Sequence, residues 1–429
     1  MNLANMLLRT AKMNPKIENV KYSPVDKDGR FSLSNGLEED FACFALWEGA
    51  LKKEDEILLD LSRTFTVIAN VIVYWSEKYY SRNIQRLYEQ HGAETLFRGH
   101  SEKIGTPPFR FVIVKDYDPY YTWKRSVSGI IEPSNERVVA AKYRYRDMFE
   151  KRYQVHSSNN IEEFLVQASL ILGAENLKEV LASSSAVDTT VHKDLEGARG
   201  WRDWEHLFST LSPCCRYLVL RNFESLPERL EDADIDFLTD KLQRFASAAN
   251  VMQDPRRPYK GTLNVAGKSI PTDIRSLGDN YFAAQWQRTA LERRERRHNF
   301  YVPAKDDNFF SLLYHCKVHK YSVKKEYFDR LQKMAKEMRF DWFDATRLDD
   351  DDEMGRLLAG YYRANEYHYV NPTDPGVGRN EAVIGYLPQI ELPPGRSGGR
   401  FRELRRLVRA GLRQPHKVPG YVFNRFGNR

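Results

Sequence analysis

Apolar residues in this chain fall into short blocks whose spacing alternates between helical and strand-like periods. In the first half, LEEDFACFALWEGALKKEDEILLDLSRTF (37–65) repeats its apolar positions at helical spacing and predicts a helix, preceded by a charged, turn-containing leader, SPVDKDGRFSLSNG. TFTVIANVIVYW (64–75) is a nearly continuous apolar run broken by Asn70, and reads as a buried strand or a buried helix. FRFVIVKD (109–116), bounded by Pro107-Pro108 and by DYDPYY, predicts a buried strand. NIEEFLVQASLIL (160–172) predicts an amphipathic helix with Asn159 or Asn160 as N-cap and acids in its first turn.

A small, polar stretch, ASSSAVDTTVHKDLEGARG (182–200), then interrupts the pattern and reads as a linker. Beyond it, CCRYLVLRNFESLP and DADIDFLTD predict two strands, KLQRFASAANVM a helix, and LNVAGKSIPTDIRSLG further strands. FAAQWQRTALERRERR, FFSLLYHCKVHKY and KEYFDRLQKMAKEMRF predict helices, whereas NPTDPGVGRN and LPPGRSGGR read as loop and linker. The expected class is α/β (α+β). A leader and helix (1–60) precede an α/β domain (61–186), a linker (187–212), a mixed-sheet domain with C-terminal helices (213–392) and a basic amphipathic tail (393–429). A length of 429 residues, too great for one ordinary core, agrees with more than one domain.

Four cysteines, Cys43, Cys214, Cys215 and Cys316, show neither C-x-x-C nor C-x-x-H spacing, which points to a reducing compartment without structural zinc. No apolar run approaches the roughly 18–20 residues that a bilayer crossing needs. The N-terminal MNLANMLLRTAKMNPK has no signal-peptide pattern, so a cytoplasmic location is expected. The net charge is +7, but residues 396–429 hold ten Lys/Arg against one acid, Glu403. That stretch alone carries +9 and the rest of the chain sums to −2, so the basic balance gives no general argument for nucleic-acid binding. Drawn as a helix, RFRELRRLVRAGLRQPHK lines up Phe401, Leu404, Val408 and Leu412 on one side, with Arg402, Arg405, Arg406, Arg409 and Arg413 around the other. This is the composition of a segment attracted to an anionic membrane surface, of an arm packed on the body, or of a nucleic-acid-binding arm.

Chemistry concentrates in RLEDADIDFLTDKL (229–242). On a strand, Asp234 and Asp236 point to one face while Ile235 and Phe237 point to the other. Adjacent carboxylates repel unless a proton or a cation intervenes. Two acids on one strand and a third on a neighbouring strand suit the binding of Mg²⁺ or Mn²⁺, which neutralises phosphate oxygens and lowers the pKa of an attacking hydroxyl. SIPTDIR (269–275) offers the third acid, Asp273, and Arg275 on the same face as a phosphate contact.

The order of strand, short helix, Asp-x-Asp strand and later Asp strand resembles the nucleotidyltransferase superfamily that includes DNA polymerase beta. Its signature is an apolar residue and Gly-Gly or Gly-Ser, then about nine to thirteen residues, then Asp-apolar-Asp-apolar. Here Leu220 precedes Arg221-Asn222, eleven residues follow, and then Asp234-Ile235-Asp236-Phe237. The resemblance implies Asp234, Asp236 and Asp273 as metal-binding and catalytic residues, with Arg221, Asn222, Arg275 and Lys317 toward substrate or phosphate. Arg221-Asn222 departs from the glycine-containing pair that lets backbone approach a phosphate. The segments YLVLRNFESLP, DIDFL, TDIR, GDNYF and YVPAKDDNFFSLLYHCKVHK are also similar to uncharacterised proteins encoded with cell-surface polysaccharide genes. What these likenesses imply is metal-dependent nucleotidyl or phosphoryl transfer from a nucleotide or nucleotide-sugar donor to a glycan acceptor. A metal-dependent glycosyltransferase and a non-catalytic nucleotide- or glycan-binding scaffold are the alternatives.

Other signals have plainer readings. His315 and His319 lie four apart, but no Glu stands between them as in H-E-x-x-H. LDDDDEMGRLL (348–358) places acids where a helix N-terminus favours them. Arg98, His100, Glu102, Lys103, Lys115, Asp116, His156, Ser157 and Asn159 gather around strand ends and a helix start in the first half, as a ligand site or as a helix cap. G-x-G-x-x-G and Walker A motifs are absent from the sequence.

Overall fold

The structure is a computed structural model that describes residues 40–89, 104–125, 131–320 and 325–389. The leader, Arg98, His100, Glu102, Lys103 and the basic tail lie outside these residues. In the first half, a five-stranded sheet has the order β6-β1-β3-β2-β7. Its strands are β1 (Asp40–Leu46), β2 (Thr66–Val73), β3 (Phe109–Asp116), β6 (Val155–Ser157) and β7 (Val187–Val191). β4 (Tyr121–Arg125) and β5 (Ile131–Asn135) form a separate antiparallel pair.

β1 corrects the expected helix over 37–65. Every residue of DFACFAL is buried, and β3 and β6 pair with it on its two edges. A strand covered on both faces has no polar side to show, so its apolar residues run on without strict alternation. The helical spacing holds only downstream, in α1 (Glu54–Thr64). α1 and α3 (Glu136–Arg146) cover one sheet face through Ile57, Leu61 and Tyr145, against Phe44, Val112 and Val114. α2 (Glu77–Leu87), α4 (Ile161–Leu172) and α5 (Ala174–Ala182) cover the other. Asn160 caps α4, its side chain accepting from Glu163 N at 3.0 Å.

The stretch expected as a linker, 187–212, is built into the fold. Val187–Val191 is β7, pairing parallel with β2, and Trp204–Leu211 is helix α6. Between them Asp194 accepts from Ser76 N at 2.9 Å and Asn83 Nδ2 at 3.0 Å, and Trp201 bridges to Val265. Small polar residues are compatible here with an edge strand, half-buried at its ends.

The second half holds another five-stranded mixed sheet, ordered β10-β11-β12-β9-β8. Its strands are β8 (Tyr217–Val219), β9 (Ile235–Thr239), β10 (Met252–Asp254), β11 (Arg257–Val265) and β12 (Lys268–Ser276). α7 (Leu242–Ala248) follows β9 directly. Then come α8 (Ala284–Glu292), the hairpin β13 (Glu295–Arg297) and β14 (Phe300–Val302), α9 (Lys305–Lys317), α10 (Lys325–Glu337), α11 (Asp351–Ala364) and α12 (Glu381–Ile384). The class is mixed α/β, as expected.

One apolar core runs through both halves, from Phe41 to Leu387. Buried polar contacts reinforce the junction. Arg86 of α2 donates to the carbonyls of Ser247 (2.9 Å) and Ala248 (3.0 Å) at the end of α7, and to Glu196 O (2.7 Å). Arg244 of α7 pairs with Glu89 at 2.6 Å and Glu162 at 2.7 Å. The strand that carries Asp236 therefore leads straight into a helix gripped by the first half.

Candidate functional site

The site grows from the pairing of β9 with β12. Ile235 and Phe237 are buried in the core, so Asp236 is turned to the opposite face. β12 pairs parallel to β9 with Asp273 opposite Asp236, and register partners on adjacent strands share a face. Asp234 lies just before β9 begins and is exposed. Partial desolvation of its carboxylate by the surrounding protein, followed by the nearby carboxylates of Asp236, Asp232 and Asp273, holds its acid above the ordinary range, against the opposing effect of Arg221.

Both strand aspartates face guanidinium groups. Arg221 follows β8, where Leu220 N donates to Asp236 O at 2.9 Å, and its Nη2 pairs with Asp236 Oδ2 at 2.8 Å. Burial alone would lower the Arg221 pKa; the Asp236 charge outweighs it and keeps the guanidinium protonated. Arg275 Nη2 donates to Asp273 Oδ2 at 2.6 Å, and Lys260 of β11 reaches the same oxygen at 3.1 Å. Asp273 Oδ1 is buried without a hydrogen-bond partner.

Tyr281 lies between the two arginines. Its ring is 4.4 Å from the Arg275 guanidinium, and its hydroxyl is 3.5 Å from Arg221 Nη2 and 3.1 Å from His315 Nδ1. The His319 ring packs against it at a tilt of 45°, with ring centres 4.2 Å apart. Burial and then the Arg221 charge lower both histidines well below their ordinary range, so they are neutral at pH 7. They form the apolar and aromatic backing of the arginine pair.

The Arg221-Asn222 dipeptide includes a backbone conformation that glycine adopts freely. Asn222 has φ +60°, the left-handed conformation that glycine adopts freely and asparagine tolerates among L-residues. Its side chain donates to Asp232 and accepts from Arg330 of α10, which also binds Glu224. The loop from 220 to 234 thus keeps a glycine-like turn while side chains tie it to α10.

The other anticipated residues are placed as follows. Lys317 is buried and pairs with Asp351 at 2.6 Å. Asp350 is the N-cap of α11, accepting from Glu353 N at 2.9 Å, so the LDDDDEMG acids serve a helix start. Asp116 lies beside Asp40, with Asn135 Nδ2 3.1 Å and 3.2 Å from them, while His156 contacts Gln167 at 2.9 Å. Lys115 is on β3 opposite Phe41, Ser157 is buried in β6, and Asn159 accepts from Lys142 at 2.8 Å. Lys260, Tyr281, Arg330 and Asp374 were not anticipated. Only the β11–β12 register brings Lys260 opposite Asp273, and Asp374 comes from a loop with no motif of its own.

In donor chemistry the aspartates fit a hard divalent cation: all are carboxylates, and one buried Asp273 oxygen has no partner. As placed, however, no three His, Cys, Asp or Glu groups among the described residues already surround a common metal position. No protein-family model matches this chain, and no curated protein matches it.

Proposed function

We propose that this protein is a metal-dependent nucleotidyl- or phosphoryl-transfer enzyme acting on a hydroxyl-bearing saccharide, in the building of cell-surface polysaccharide. The observation that carries this reading is the in-register pairing of Asp236 with Asp273 on adjacent parallel strands, with Asp234 at the mouth of the same strand. Asp234, Asp236 and Asp273 would hold Mg²⁺ or Mn²⁺, which when bound screens phosphate charge and acidifies the attacking hydroxyl. Arg221 and Arg275 stabilise negative charge near the phosphate, and Asn222 shapes the loop beside it. The acceptor oxygen attacks phosphorus, the bond to the leaving phosphate breaks, and Asp273 takes the hydroxyl proton. No helix among the described residues is long and apolar enough to cross a membrane. The cytoplasmic face of an anionic membrane, reached through 396–429, is the proposed place of action.

A specific observation favours a second reading. Asp236 and Asp273 are already neutralised by Arg221, Arg275 and Lys260, as expected of a site that binds a nucleotide or glycan without turning it over. A donor screen separates the readings. Incubation with nucleoside triphosphates, Mg²⁺ and glycan acceptors should release pyrophosphate if a nucleotidyl group is transferred, or the nucleoside diphosphate if a phosphoryl group is. Consumption of a nucleotide-sugar with release of a nucleoside mono- or diphosphate would identify a glycosyltransferase, and binding without turnover a scaffold.

A further inference from the structure

Arg275 is buried and restrained on several sides. Its Nη2 binds Asp273 Oδ2 at 2.6 Å, while its Nη1 is drawn away to Asp374 Oδ2 at 3.0 Å. Its guanidinium lies 4.4 Å from the Tyr281 ring and 5.2 Å from the Tyr259 ring. Asp374, also buried, is held in turn by the Tyr259 hydroxyl at 2.6 Å and Gly376 N at 2.9 Å, both on Oδ1. A chain of polar contacts thus runs from the 371–380 loop, through Arg275, to β12.

Arginine and a carboxylate left to themselves favour a fork, with two parallel N–H···O bonds to both oxygens. Asp374 competes for one arm of that fork. Arg275 consequently binds Asp273 through one oxygen, and Asp273 Oδ1 remains without a partner. We infer that Asp374 is a positioning residue that keeps the Asp273 carboxylate open to a divalent cation by holding Arg275 to a single contact. The inference rests on the proposed metal-binding role of Asp273 and adds a residue from a loop outside both sheets. Without Asp374, Arg275 closes on both Asp273 oxygens and blocks the ligand.

Titration calorimetry with Mn²⁺ on the full-length chain tests this, comparing wild type with Asp374→Asn and Tyr259→Phe. Outer partners of metal ligands typically set affinity by roughly 10–100-fold, so D374N should weaken Mn²⁺ binding by that order while circular dichroism remains native. Y259F, which loosens Asp374 without removing it, should lose less in the same direction. If wild type binds Mn²⁺ and both variants bind equally well, the positioning role is overturned and the metal site stands. If wild type itself shows no binding, the metal-site reading fails and this inference falls with it. Should D374N not fold, Y259F decides between these outcomes.

Discussion

Arg221 and Asp236 form a buried ion pair at 2.8 Å, their side chains 12% and 9% exposed. Its energetics differ sharply from those of the exposed neighbour, Asp234. Removing one partner of a buried pair leaves a charge without compensation, at a cost of about 3–5 kcal/mol.

Asp236→Ala is therefore expected to destabilise the fold by about that amount, whereas Asp234→Ala should stay within about 0.5 kcal/mol of wild type. Urea denaturation of the two variants provides the comparison. Equal stability would mean that the Arg221–Asp236 contact contributes nothing to the fold. Sequence alone suggests that either substitution relieves carboxylate repulsion; the arginine partner reverses that expectation for Asp236.

The left-handed backbone at Asn222 gives a second expectation. Asn222→Ala loses the contacts to Asp232 and Arg330 and keeps a β-carbon in a left-handed conformation that L-residues without a short polar side chain disfavour, by roughly 1–2 kcal/mol. Asn222→Gly loses the same contacts but tolerates the conformation. The glycine variant should be the more stable of the two by about 1 kcal/mol in equilibrium unfolding. The reverse order would show that φ at this position is not what selects the residue.

These two cases mark what could be read from the chain. The alternation around Ile235 and Phe237 was legible because acids alternate there with apolar residues, so the core side of Ile235 and Phe237 determines where Asp236 points, although every residue of β9 is buried. The pairing of Asp236 with Asp273 was legible only as a motif spacing, since register between strands depends on contacts distant in sequence. Asp374, Lys260 and Arg330 were not legible, because a charged residue in a loop, strand or helix has the same local pattern whether or not it meets a partner. β1 was misread for the opposite reason: burial on both faces erased the period that distinguishes strand from helix.

A third expectation concerns pH and the first sheet. Burial, despite hydrogen bonds from Tyr121 and Asn135 and with added repulsion from Asp116, raises the Asp40 pKa from 3.8 to about 6. Arg137 Nη1 lies 3.3 Å from Asp116 Oδ1 in this acid pair. Below the ordinary value both folded and unfolded chains hold the proton, and its stabilising contribution is full. As pH rises the unfolded chain releases it first, so stability falls until the folded group also ionises near pH 6. The loss amounts to about 3 kcal/mol. Urea midpoints measured from pH 4 to 7 should therefore decline more steeply in wild type than in Asp40→Asn. Parallel profiles would show that Asp40 titrates like an exposed carboxylate.

The last expectation follows from the distribution of charge. Residues 396–429 carry +9, while the remaining chain sums to −2, so attraction to an anionic surface should reside in that stretch. Each basic residue near such a surface contributes about 1 kcal/mol, reduced by screening at physiological salt. Phe401, Leu404, Val408 and Leu412 add apolar area that a bilayer interface can bury. The full-length chain should co-sediment with phosphatidylserine-containing vesicles, less so as salt is raised, and a chain ending at Pro394 should not. Replacing Leu404 and Val408 with Asp should weaken sedimentation even at low salt, where charge attraction is strongest. Retention of binding after the truncation would assign membrane attraction to the folded body and remove 396–429 from the proposed place of action.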